Sequence, residues 1–211
     1  MTLKKNNAMT NITPTGRRWL LGACMGMAAL WATGCSDKPP FHGIDITGAD
    51  YAQNFDLTDH NGQRRTLADF KGQVVVVFFG FTQCPDVCPT SLAEMAQAKA
   101  LLGEQGQRMQ GLFVSVDPER DTPEIMKEYM ASFDPTFLAL FTDLDKLPEV
   151  AKSFKVYYKK AEGPTPTSYT MDHSAGSYVF DTTGRIRLYH RYNSGAQGLA
   201  SDLKRLLDEA S

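Results

Sequence analysis

The chain has 211 residues, 42% of them hydrophobic, with 22 basic and 24 acidic residues for a net charge of −2. That length buries one sizeable core and demands no second domain. The slight acidic excess excludes a protein that holds nucleic acid by a basic surface.

The amino end reads as an address rather than as fold. Lys4, Lys5, Arg17 and Arg18 supply positive charge with no acidic residue, and an apolar run from Trp19 to Ala32 follows. The run is shorter than the roughly 20 residues a spanning helix needs, so residues 1–34 are expected to be a cleaved signal peptide. Ala32-Thr33-Gly34-Cys35, followed by polar Ser36-Asp37-Lys38, resembles the lipobox of bacterial lipoproteins, with Ala32 where Leu is usual. That resemblance implies a lipidated Cys35 as the first mature residue, a membrane anchor, and a domain on the periplasmic or other extracytoplasmic face. An uncleaved signal anchor is the alternative and gives the same orientation. Arg17-Arg18 also resembles a twin-arginine signal, which leaves that route and the general secretory one both open.

Without residues 1–34 the chain keeps 18 basic against 24 acidic residues, a net charge of −6. Cys24 leaves with the signal and Cys35 carries lipid, so the domain proper has only Cys84 and Cys88. Two thiols four apart in an oxidising compartment form a disulfide, a metal site or both.

Residues 35–50, with Pro39-Pro40, read as a lipidated terminus and tether, and residues 51–211 as the domain. Phe55 to Leu67 alternates around Asn61-Gly62, which predicts a hairpin. Val74 to Phe79 is an unbroken apolar run between Gly72 and Gly80, as in a central strand covered on both faces. Helices are predicted over 90–102, 122–133, with Thr122 as cap and Pro123 at the first position, and 143–154. Strands are predicted over 112–116, 137–141 and 155–159, and a polar loop with Pro164 and Pro166 over 161–170. A second hairpin over 177–181 and 186–192, turning at Thr183-Gly184, precedes a helix over 197–207. The fold class is therefore α/β: parallel central strands, a terminal antiparallel hairpin and flanking helices describe a thioredoxin-like fold with an added N-terminal β-hairpin.

Cys84-Pro-Asp-Val-Cys88 lies between the buried strand and the first long helix, beyond a strand's carboxyl end, where open α/β sheets place their sites. Pro85 is expected at the first helical position, with Cys84 at the helix start and Cys88 one turn in. The positive end of the helix favours thiolates. Helical i,i+4 spacing suits chelation more easily than a disulfide, although Cys84 is free enough for a modest adjustment to close the bond. Two thiolates and an imidazole are the donor set expected for copper or zinc. His42 in the tether and His60 at a hairpin tip read as solvated, and His190, near Arg187 and Arg191, as surface. His173, in a loop before a predicted strand, is the candidate third ligand; a hydrogen-bonded loop histidine is the alternative.

Three blocks, Phe78-Phe-Gly-Phe-Thr-Gln-Cys-Pro-Asp-Val-Cys-Pro-Thr-Ser-Leu92, Ser115-Val-Asp-Pro-Glu-Arg-Asp-Thr-Pro-Glu124 and Met171-Asp-His-Ser174, resemble in that order those of the SCO/SenC copper chaperones. The resemblance runs from about Phe55 to Leu207. It implies a thioredoxin-like fold, Cu(I) or Cu(II) held by Cys84, Cys88 and His173, and delivery to the copper-A centre of cytochrome c oxidase subunit II. Asp86 is a candidate to add charge near the metal or to meet a partner. Asp172 is a candidate to orient the imidazole from behind, and Met171 a conceivable axial ligand more simply explained as core. Gln83 stands where the family often has His.

The competing function is thiol–disulfide exchange, with Cys84 and Cys88 catalytic, acting on the oxidase's cysteines or on other extracytoplasmic proteins. Other copper chaperones or thioredoxin-like reductases are then further partners. CxxxC in place of CxxC, and His173-Ser174 where thioredoxins place a cis-proline, favour the metallochaperone over an enzyme. A thiol peroxidase fits less well, since no activating Arg is arranged around a single peroxidatic Cys.

Overall fold

A computed structural model describes residues 39–163, 165 and 168–210. The expected signal peptide, Cys35 and the first part of the tether lie outside the described residues. In chain order the strands are β1 (Ile44–Asp45), β2 (Leu57–Asp59), β3 (Arg64–Arg65), β4 (Val74–Gly80), β5 (Met109–Ser115), β6 (Leu138–Phe141), β7 (Tyr158–Ala161), β8 (Thr170–His173), β9 (Ser177–Phe180) and β10 (Ile186–His190). The helices are α1 (Val87–Leu101), α2 (Pro123–Ala131), α3 (Leu147–Phe154) and α4 (Ala196–Asp208). Among the described residues no helix is long and apolar enough to cross a membrane.

Eight strands form one sheet in the order β1-β10-β9-β4-β5-β6-β2-β3. β4, β5 and β6 run parallel, β9 lies antiparallel beside β4 with β10 antiparallel on its far side, and the β2–β3 hairpin attaches to β6. This is the expected thioredoxin-like arrangement with its extra hairpin. All seven residues of β4 are buried, as its unbroken apolar run requires. Phe79 packs on Phe154 of α3 and on Tyr178 of β9, while its neighbour Phe78 packs on Phe113. A strand's period of two thus lets β4 serve two cores.

Helix ends depart from the sequence reading in informative ways. α2 begins as expected, with the Thr122 hydroxyl accepting from the Ile125 amide and Pro123 at its first turn. α1 begins at Val87, so Cys88 lies within its first turn; Asp86 occupies the cap position and Pro85 stands outside the helix. Pro89 is accommodated because first-turn amides have no intrahelical acceptor. Lys155, predicted to open a strand, ends α3 in the left-handed region at φ 55°, so β7 starts three residues later. The segment expected as loop up to Thr170 gives way to β8, which pairs antiparallel with β7 in a separate two-stranded ribbon, Tyr158 opposite His173. Four residues with one buried side chain carry no legible strand pattern.

The tether expected to reach residue 50 is shorter, because Phe41 onward belongs to the domain. β1 pairs with β10, Ile44 opposite Tyr189. The amides of His42 and Gly43 donate to the Asp202 carboxylate at 3.0 and 2.8 Å. The same carboxylate bonds His190 Nε2 at 3.0 Å, and both side chains are 3% exposed. His190 is therefore buried rather than on the surface: Ile186, Leu188 and His190 share the inward face of β10, which the neighbouring arginines concealed. A Cβ at Gly43 would lie 2.7 Å from the His190 ring, so only glycine lets the chain pass here.

Burial works to raise the Asp202 pKa, but hydrogen bonds from His190, Gly43 and His42 outweigh it and leave the carboxyl below its usual range. Its stabilisation is therefore full above the unfolded carboxyl value near 4 and is lost as pH falls below it, through the lower folded value. Asp202→Ala is expected to cost about 3–5 kcal/mol in urea unfolding at pH 7. Hydrogen exchange at Gly43 should lose its protection in the same variant.

Candidate metal centre

Three donor atoms, the sulfurs of Cys84 and Cys88 and a ring nitrogen of His173, lie within 4.8 Å of one another. Each comes from a different piece of chain. Cys84 sits in the turn that follows β4, its amide donating to the Phe81 carbonyl at 3.3 Å. Cys88 is fully buried in the first turn of α1. His173 closes β8 on the ribbon.

The turn is held from below by Asp121, a buried carboxylate that accepts from the Thr82 hydroxyl at 2.6 Å, the Thr82 amide at 3.1 Å and the Ser115 hydroxyl at 2.6 Å. Burial, set against those bonds, raises its pKa. Gly80 ends β4 where a Cβ would stand 2.8 Å from Cys88 Sγ and 2.9 Å from the rings of Phe78 and Phe113. The absence of a side chain is what lets the second thiol stand over the strand end. Neither residue was singled out as part of the site in the sequence. The Gly closing an apolar run was a signal for Gly80; Asp121 lay inside a block explained there by a helix cap alone.

His173 Nδ1 lies 2.9 Å from the Ser174 carbonyl. A carbonyl only accepts, so Nδ1 carries a proton, and Nε2 is the nitrogen that faces the sulfurs, 3.4 Å from Cys88 Sγ. The ring is gripped edge-on by Phe78 and Phe81, centroids 6.0 and 5.9 Å distant and planes at 79° and 88°. The acceptor that orients the imidazole is therefore a main-chain oxygen and not Asp172, which is exposed on β8 opposite Lys159. Adjacent residues of a strand point to opposite faces, so Asp172 cannot share the imidazole's side. Met171 does share it and is buried in the core. Asp86 is exposed and its side chain makes no capping bond, although its backbone amide helps hold the Cys84 sulfur. His42 is exposed as expected, whereas His60 is half-buried, its Nδ1 accepting from the Ala139 amide at 3.1 Å.

Both cysteines are free thiols, so the disulfide considered for them is not formed here. They titrate apart. A hydrogen bond from Cys88, outweighing burial and joined by His173 and the amides of Asp86 and Cys88, brings the Cys84 thiol down to about 4. Donating that bond, together with burial, pushes Cys88 far up. The pair thus holds one proton, on the buried sulfur, and exposes a thiolate at the other. Two sulfurs and an imidazole nitrogen suit a soft or borderline ion. Bonds of about 2.0–2.3 Å to one ion put donors no more than roughly 4.6 Å apart, so a contraction of tenths of an ångström closes this set on an ion.

Cys84 should be alkylated by iodoacetamide at pH 6 while Cys88 stays unmodified, as peptide mass mapping would show. Because the thiolate form of Cys84 is the reactive one, its rate should fall only as pH drops toward about 4. Gly80→Ala should displace Cys88 Sγ, cost about 1–3 kcal/mol of stability by overpacking, and loosen metal binding measured by chelator competition.

The description SCO1/SenC belongs to the family model that matches residues 45–208. Bovine "Protein SCO2 homolog, mitochondrial" is 36% identical over 154 residues, 72% of this chain, and the match spans only 58% of the bovine protein's length. The copper-bound ScoI structure from Bradyrhizobium japonicum is 42% identical, with a TM-score of 0.66 over 72% of this chain and 97% of that one. The apo Sco1 solution structure from Thermus thermophilus is 36% identical, with a TM-score of 0.70 over 79% and 97%. With a family model spanning most of the domain and the cysteine pair and histidine gathered at one strand end, the chain belongs to the SCO1/SenC family.

Proposed function

We propose that this protein binds copper as cargo through Cys84, Cys88 and His173 and delivers it to the copper-A site of cytochrome c oxidase subunit II during assembly of the oxidase. The observation that carries the reading is the gathering of two thiols and an imidazole nitrogen within 4.8 Å, the histidine coming from a part of the chain 85 positions beyond the second cysteine. Thiolates hold Cu(I), and the imidazole extends the set to Cu(II), so one site serves both redox states. The copper-bound relative from Bradyrhizobium japonicum supports the choice of metal. On this reading the domain faces the extracytoplasmic side of a membrane, held by lipid on Cys35 or by an uncleaved signal anchor, and the basic and apolar pattern of residues 1–34 supports that orientation.

A second reading has its own observation, the divided titration of the thiols. In it the Cys84 thiolate attacks a substrate disulfide, forming a mixed disulfide and releasing one substrate thiolate. Cys88 then loses its proton and attacks the Cys84 sulfur, forming the Cys84–Cys88 bond and releasing the second thiolate. A thioredoxin-like reductase would restore the pair. His173 has no necessary part in that cycle, whereas the copper reading requires it.

Copper(II) added to the reduced protein should bind at one ion per chain with a visible thiolate-to-copper band. Cys84→Ser and Cys88→Ser should abolish that band, and His173→Ala should shift it and weaken binding by roughly 10-fold or more. Absence of stoichiometric copper, with dithiol reductase activity that survives His173→Ala, would select the second reading.

A further inference from the structure

The strand that carries His173 is not part of the main sheet. β8 pairs only with β7 among the described residues, so no strand-ladder hydrogen bonds hold the ribbon against the cysteines. One side chain from the second motif block bridges the two. Arg120 Nη1 donates to the Tyr169 carbonyl at 2.8 Å and to Gln83 Oε1 at 3.1 Å, and its Nε pairs with the buried Asp117 carboxylate. The guanidinium carbon lies 3.6 Å from the Tyr169 ring centroid, and Lys160 Nζ of β7 lies 3.7 Å from the same centroid. Tyr169 completes the circuit by donating its hydroxyl to Asp117 at 2.8 Å.

These partners adjoin two members of the metal centre, Cys84 and His173. Gln83 precedes Cys84, and Tyr169 precedes the strand that ends at His173. Phe81, whose ring is 5.7 Å from the guanidinium, presses edge-on against the imidazole. Arg120 is in none of the contacts recorded for the three donor atoms. Among the described residues its Nη2 is buried without a hydrogen-bond partner, an arrangement that works against stability. A planar fork that bonds and stacks at once is what allows one side chain to span three segments.

We propose that Arg120 and Tyr169 form a latch fixing the β7–β8 ribbon to the cysteine turn, so that Arg120 is a positioning residue governing copper retention through His173 alone. The inference rests on the copper reading above. It requires that loosening the latch cost what losing the imidazole costs and nothing further.

The test is a double-mutant cycle on the full chain, with copper affinity read by chelator competition and imidazole coordination by nitrogen hyperfine structure in the Cu(II) electron paramagnetic resonance spectrum. Arg120→Gln and Tyr169→Ala should each weaken binding about 10- to 100-fold and diminish the hyperfine structure. In a His173→Ala background neither should weaken it further, since the two changes remove one interaction. Arg120→Lys, which keeps charge but loses the fork, should fall nearer Arg120→Gln than the unsubstituted chain. Should Arg120→Gln fail to fold, as circular dichroism would show, Tyr169→Ala carries the test with the Arg120–Asp117 pair intact. Unchanged affinity, or losses that add to that of His173→Ala, would overturn the latch and leave the copper site standing. Full copper affinity in His173→Ala itself would overturn the three-ligand site and the latch together.

Discussion

Close approach at the end of β4 is the constraint on which the site depends. Gly80 leaves no Cβ where Cys88 Sγ, Phe78 and Phe113 converge, so the first turn of α1 can settle directly over the end of the buried strand. The burial of all seven strand residues makes that end immobile, and Asp121 ties the intervening turn to β5 through Thr82 and Ser115. A methyl group at Gly80 would move the second thiol, and with it the geometry on which the first thiol's titration rests.

The two sulfurs differ because one is inside and one is at the rim. Cys88 keeps its proton because it is buried and has a thiolate to donate to; Cys84 loses its proton because it receives that bond and backbone amides besides. The same asymmetry serves either metal capture, in which one thiolate is ready and the second forms on binding, or attack on a disulfide. His173 is the member of the site that the copper reading requires. Its tautomer is set by the Ser174 carbonyl and its tilt by two phenylalanine edges, leaving Nε2 aimed at sulfur. Such preparation serves coordination, and the same ring also helps to lower the Cys84 thiol.

The ligands are also divided between two kinds of support. The cysteines stand on the junction of the main sheet and α1, where packing is densest, while the imidazole stands on a two-stranded ribbon held across the Arg120–Asp117–Tyr169 contacts. On the copper-delivery reading proposed above, a donor on a separately held element is a physical means of changing coordination without disturbing the core.

The sequence by itself determined the sheet core and both cysteine positions, because an unbroken apolar run between glycines has one stable placement and a thiol pair just past it has one neighbourhood. Motif resemblance carried His173. Only the tertiary structure decided the rest. Asp172 adjoins His173 in sequence but faces away across the pleat, and a carbonyl takes the orienting role assigned to it. His190 and Asp202, 12 residues apart, become a buried pair that fastens residues 42–43 to the domain, which local charge could not announce. Arg120 reaches Tyr169 across 49 positions. Local pattern reports which face of its own element a residue occupies; what a long polar side chain meets there depends on where other elements have been brought, and that is fixed by packing of the whole chain.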